Sequence, residues 1–112
     1  MSIATRNVHG VTILDVQGRI TIGEESALIR NTIRGLVQSG QKNLLMNLAD
    51  VRTVDSTGIG ELVSSYTHVA DQGGALKLLH LTKRTRELLA ITKLLTVFDT
   101  FENEADAVAS FA

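Results

Sequence analysis

Two nearly unbroken apolar runs constrain this chain more than any other feature. Leu44-Leu45-Met46-Asn47-Leu48 is one; Ala75 to Leu81, carrying Leu76, Leu78, Leu79 and Leu81, is the other. Both are too short for buried helices and suit strands covered on both faces, as in a parallel sheet. Between them Ile59, Leu62, Val63, Tyr66, Val69 and Ala70 recur at helical spacing, the strongest amphipathic signal in the chain, and Gly73-Gly74 closes it. Strand, helix and strand in that order imply a parallel crossover, which is right-handed.

The remaining segments extend this unit. Ile3 to Val8 and Val11 to Val16 flank His9-Gly10, a turn signal, and should pair as an antiparallel hairpin. In its second arm Val11 and Ile13 face one way, Leu14 and Val16 the other. Thr21-Ile22-Gly23-Glu24 fits a capping box, with the Thr hydroxyl and the Glu carboxylate each satisfying an orphan amide. A helix follows through Ile29, Ile33, Leu36 and Val37, stopped at Gly40. Asp50 to Thr57 reads as a polar connection interrupted by Val51 and Val54. Thr82 and Thr85 are candidate caps for a helix through Leu88, Leu89 and Ile91. Val97-Phe98 reads as a short last strand, and Glu102 to Phe111 as a terminal helix with Ala105, Val108 and Ala109 inward. The order ββαβαβαβα defines one α/β domain over residues 1–112, with parallel pairing, an N-terminal antiparallel hairpin, and no repeat or linker.

Composition removes whole classes of function. With 11 Lys+Arg against 12 Asp+Glu, the chain lacks the basic excess of a general nucleic-acid binder. The absence of Cys excludes disulfides, thiol catalysis and thiolate metal sites. No apolar run is long enough to span a membrane, and Met1 to Arg6 has no apolar segment after a basic start, so a cytoplasmic location is expected. His9, His68 and His80 show no ligand spacing and read as surface or structural residues, so neither metal nor cofactor is expected. No phosphate loop of the GxxxxGK[ST] type occurs, and Gly58-Ile59-Gly60 fails the GxGxxG fingerprint because Val63 stands last. A Ser-His-acid triad fails too. Ser56 lacks the glycine two residues before it that a nucleophile elbow uses. His68 would lie about 18 Å from it along a helix rising 1.5 Å per residue. Lys77, Lys83, Arg84, Arg86 and Lys93, followed by Asp99, Glu102, Glu104 and Asp106, form either solvated helix faces or a polarised surface for a charged partner.

Val54-Asp55-Ser56-Thr57-Gly58-Ile59-Gly60-Glu61-Leu62 joins a buried strand to the best helix. Asp55, Ser56 and Thr57 place three oxygen-bearing side chains at a helix N-terminus, where one suffices as a cap. Gly58 and Gly60 weaken the first turn and keep the surface low, so that another molecule could approach the backbone. A hydroxyl at this position suits either capping or a phosphate, because free amides and the positive dipole end favour an anion.

This strand–Asp-Ser-Thr-Gly-Ile-Gly–helix segment resembles the STAS domain of bacterial anti-sigma factor antagonists. Gly18, the strand Asn43 to Leu48 and the strand entry Gly73-Gly74-Ala75-Leu76-Lys77-Leu78 also fit, so the resemblance covers essentially the whole chain. It implies a small α/β domain with a mixed central sheet and no catalytic activity. It implies an anti-sigma factor as partner, often a serine kinase of the histidine-kinase-like ATPase fold, which the unphosphorylated antagonist sequesters so that a sigma factor is freed. The kinase would phosphorylate Ser56, and a metal-dependent serine phosphatase would reverse the mark. Asp55, Thr57 and Gly58 complete the motif. The chain departs from the family at Gly18-Arg19-Ile20-Thr21, where many members carry an acid shortly after the glycine. Within the fold the alternative is a STAS subunit of another assembly: a stressosome, a lipid transporter or a chemosensory pathway. The helix that follows Ser56 is expected to present Glu61, Ser64, Ser65 and His68 on its exposed face as partner-binding residues. Neither nucleic acid nor membrane is expected as a direct partner.

Overall fold

The computed structural model describes residues 1–112. Its elements are β1 (Ser2–Val8), β2 (Val11–Ile20), α1 (Glu24–Gln38), β3 (Asn43–Val54), α2 (Ser56–Asp71), β4 (Ala75–Leu79), α3 (Lys83–Ile91), β5 (Thr100–Phe101) and α4 (Glu104–Ala109). The sheet order is β1-β2-β3-β4-β5, with β1 antiparallel at one edge and the remaining pairs parallel. Every crossover therefore steps the same way. Right-handed crossovers of that kind put their helices on one side of the sheet.

The packing agrees. Leu14, Val16, Leu44, Met46, Leu48, Leu76 and Leu78 from the sheet share one core with Ile29, Ile33 and Val37 of α1, Ile59, Leu62 and Val69 of α2, and Leu89 of α3. On the opposite face Val11, Ile13, Leu45 and Leu79 meet Ala107 and Val108 of α4, with Val8, Phe101 and Phe111 packed around them. The expected split of β2, with Val11 and Ile13 on one side and Leu14 and Val16 on the other, is thus present. The apolar runs of β3 and β4 are buried on both faces for this reason.

Several local expectations are corrected. The capping box does not form: Gly23 is the N-cap of α1 at φ 102° and receives no side-chain hydrogen bond. That backbone turn leaves Thr21 outside the cap position, where its carbonyl accepts from the Ser26 hydroxyl at 2.8 Å. The polar connection after Leu48 is mostly strand. Val51, between exposed Asp50 and Arg52, and Val54, after half-buried Thr53, point into the core, and bulges in the β2–β3 register carry the pairing onward to Ile20 and Val54. Ala70 and Ile91 lie outward. Val97 and Phe98 lie in a turn, and the last strand is Thr100–Phe101. Phe98 instead plugs the core edge-on to Tyr66, with ring centroids 5.3 Å apart. In α4 it is Ala107 and Val108 that face inward, while Ala105 and Ala109 are exposed. The Asn103 cap, accepting from the Asp106 amide at 3.0 Å, sets that register. Thr82 caps α3 as expected, accepting from the Thr85 amide at 3.2 Å.

A polar network ties α4 to the hairpin. Arg6 donates to Asp15 at 2.8 Å and to both carboxylate oxygens of Glu104, and Asn47 donates to Asp15 at 2.9 Å. The bond to Arg6 is the main cause holding the carboxyls of Asp15 and Glu104 below their ordinary values of 3.8 and 4.5. A carboxyl lowered in the folded state contributes stability above its unfolded pKa, and that contribution is lost as pH falls through the folded value. Unfolding midpoints measured from pH 6 downward should therefore start to fall near pH 4.5, and Arg6→Ala should flatten that part of the profile. An acid limb unchanged by Arg6→Ala would assign the loss to other carboxylates.

Candidate functional site

The site is built where β2 and β3 end side by side and α2 begins. Val54 is the last residue of β3, and Asp55, extended at φ −96° and ψ −179°, is the N-cap of α2. Its amide donates to the Ile20 carbonyl at 3.2 Å, which continues the strand pairing by one residue. Its carboxylate then serves two elements. Oδ1 accepts from the Gly58 amide at 2.7 Å, inside α2, and Oδ2 accepts from the Ile22 amide at 3.1 Å, in the β2–α1 loop. Asp55 is thus a pin between two segments, and its charge is already engaged by two N–H groups.

With Asp55 as the cap, Ser56 and Thr57 are surplus to capping. Both are exposed, and neither hydroxyl is engaged in an intrachain hydrogen bond. The helix starts at Ser56, two residues earlier than the position of Gly58 alone suggests. Ser56 and Thr57 are its first two residues, so their amides have no helical acceptor, and none is supplied elsewhere in the chain. The arrangement is an outward hydroxyl beside two free N–H donors at the positive end of a 16-residue helix. Chemically it can receive a phosphate and hold it. No group of three His, Cys, Asp or Glu side chains is placed to hold a metal ion.

Gly58 is buried, and its reason differs from the sequence expectation. A Cβ there would stand 2.1 Å from the Ile20 carbonyl oxygen. The close approach is made by the chain's own β2, not by another molecule. Gly60, one turn position on, is exposed with nothing within 4 Å of a Cβ.

The expected outer face of α2 is also corrected. Ser64 is exposed and His68 half-buried, but Glu61 and Ser65 are buried at 8% and 4% exposure. The cause is α1, which packs along this side. Arg30 of α1 donates to Glu61 at 3.0 Å and turns that carboxylate into an internal partner. Periodicity cannot show this, because a polar residue satisfied by a neighbouring helix has no apolar signature. The sequence reading also missed Ile22, which lies 72% exposed in the loop pinned by Asp55. Its signal was an isolated apolar residue outside any periodic stretch.

A fold of three helices on one side of a mixed five-stranded sheet, with a pinned Asp-Ser-Thr-Gly turn at the end of β3, defines a STAS domain. The STAS domain family profile matches residues 2–107, and the chain belongs to that family. It is 34% identical over 86 residues to the anti-sigma-B factor antagonist of Bacillus subtilis strain 168, a match covering 77% of each chain. Among solved structures, a candidate anti-sigma factor antagonist from Thermotoga maritima superposes with a TM-score of 0.89 at 20% identity, covering 97% of this chain and 93% of that one. The Bacillus cell fate determinant SpoIIAA in its phosphorylated form superposes with a TM-score of 0.75 at 15% identity, covering 99% of this chain and 100% of that one.

Proposed function

We propose that this STAS protein is an anti-sigma factor antagonist whose hold on its partner is switched off by phosphorylation of Ser56. The observation that carries the reading is the surplus hydroxyl: Asp55 caps α2, and Ser56 stands exposed and unbonded beside it. The 34% identity to an anti-sigma-B factor antagonist supports the same role. The partner is an anti-sigma factor that is also a serine kinase of the histidine-kinase-like ATPase fold, and a metal-dependent serine phosphatase resets the switch. Asp55 and Gly58 shape the docking turn from within. Thr57, Ser64 and the exposed side chain of Ile22 offer contact atoms around it. The chain itself is a binding module with no turnover of its own, in line with its anti-sigma-B factor antagonist relative. No helix is long and apolar enough to cross a membrane, which suits a regulator acting in the cytoplasm.

The other reading is a STAS subunit of a stressosome, lipid transporter or chemosensory assembly, and the exposed, unbonded Ser56 favours the switch over those subunit types that are not phosphorylated. The test is to incubate the protein with ATP and the serine-kinase anti-sigma factor encoded in its own genome. One phosphate on Ser56, absent in Ser56→Ala, is the expected result. No complex with that kinase and no modification would overturn the reading.

A further inference from the structure

We propose that the seam between α1 and α2 is a docking groove for a carboxylate-rich segment of a protein partner, separate from the Ser56 turn. A cavity of about 580 Å³ lies at one end of the seam, and Arg34, Lys42 and His68 line it without a single carboxylate. It adjoins a smaller hollow that shares Arg34 and His68 and adds Arg30. The only acid there, Glu61, is buried and paired with Arg30. In a chain of net charge −1, Arg30, Arg34 and Lys42 gather three cations here against the one carboxylate of Glu61.

Internal needs account for only part of it. Lys42 donates to the Gln72 carbonyl at 2.9 Å, satisfying an orphan acceptor at the end of α2. Arg34, like Arg19, Arg52 and Arg84, makes no ion pair or side-chain hydrogen bond, whereas Arg6, Arg30 and Arg86 have carboxylate partners. Its exposed guanidinium is a planar fork suited to bidentate pairing with a carboxylate. The site is elongated along two helices and includes the carbonyl ends of both α1 and α2, whose negative dipoles disfavour a compact dianion. Carboxylates spaced along an extended segment meet Arg34 and Lys42 one at a time. Twelve helical residues separate His68 from Ser56, about 18 Å at 1.5 Å per residue. That exceeds the Debye length of about 8 Å at physiological salt, so a phosphate on Ser56 would change the field little at the Arg34–Lys42–His68 end of the seam.

The test is a titration of the ¹⁵N-labelled protein with a glutamate-rich decapeptide at low ionic strength, followed by amide shifts. A lysine-rich decapeptide and inorganic phosphate serve as the other arms. Shifts should centre on Arg34, Lys42 and His68 with the acidic peptide alone. Arg34→Glu should weaken binding at least fivefold and Arg34→Gln by less, with thermal midpoints close to that of the parent. Shifts centred on Arg52 and Arg84 at the other end of the sheet would overturn the proposal, as would no shifts at all. Equal response to phosphate would also overturn it, making the seam a simple anion site. An affinity indifferent to Arg34→Glu would do the same.

Discussion

Phosphorylating Ser56 is expected to weaken binding to the anti-sigma partner by about a thousandfold, close to 4 kcal/mol, without unfolding the domain. The modification adds roughly −1.5 to −2 charges at neutral pH. Within the domain that charge is easily met, because the Ser56 and Thr57 amides are free and the dipole of α2 points its positive end at them. Asp55 is held by Gly58 and Ile22 and has no spare donor to lend. The partner is in the opposite position. To cover Ile22 it must exclude water from this turn, and a phosphate trapped there without a matching cation costs several kcal/mol. Ser56→Asp brings one charge and not the shape of a phosphate, so it should bind at an intermediate level. Ser56→Ala should bind constitutively. Affinities of the unmodified, phosphorylated, Ser56→Asp and Ser56→Ala proteins for the kinase, each with a circular dichroism melt, give the answer. Equal affinity of modified and unmodified protein would refute charge-driven release, and a collapsed spectrum would refute local action.

Gly58→Ala should be among the most damaging small substitutions in the chain. The added Cβ meets a backbone carbonyl of β2 and cannot be relieved by moving a side chain. Overpacking of this kind costs about 1–3 kcal/mol, and here separating α2 from β2 also strains both bonds of Asp55. A net loss of about 3 kcal/mol corresponds to a drop of roughly 12 °C in melting temperature at about 4 °C per kcal/mol. Gly60→Ala is the internal control. It sits in the same helix with open space around it, and the better helix former should raise stability by about 0.5–1 kcal/mol. If both variants melt alike, the close packing against Ile20 is not what keeps Gly58 small.

The two glycines show where sequence reading reaches its limit. Both weaken a helix equally on paper, and only the course of β2 tells them apart. The order of elements was legible because apolar runs and helical periodicity are local signals. The inward set of α1 and most of that of α2 followed from the same periodicity. Ser56 was legible as a surplus polar residue at a helix start. Contacts made across the fold were not legible. The second oxygen of Asp55 reaches the amide of Ile22, in a different loop. Glu61 is buried because Arg30 lies beside it, and nothing near Glu61 in the chain announces Arg30. The last strand was misplaced because Phe98 is a strong apolar residue, yet a single aromatic ring can fill a core from a turn.

The sheet order β1-β2-β3-β4-β5 means that each strand joins the edge laid down immediately before it. No strand waits for a later one to be inserted between it and its neighbour. A nascent chain leaving the ribosome can therefore assemble in the direction of synthesis, adding one strand and one helix at a time. In each such intermediate the newest parallel strand presents an unpaired edge until its successor emerges. The finished sheet ends this series with β5, only two residues long, so the edge strand on that side is short, while the seven-residue β1 forms the other edge.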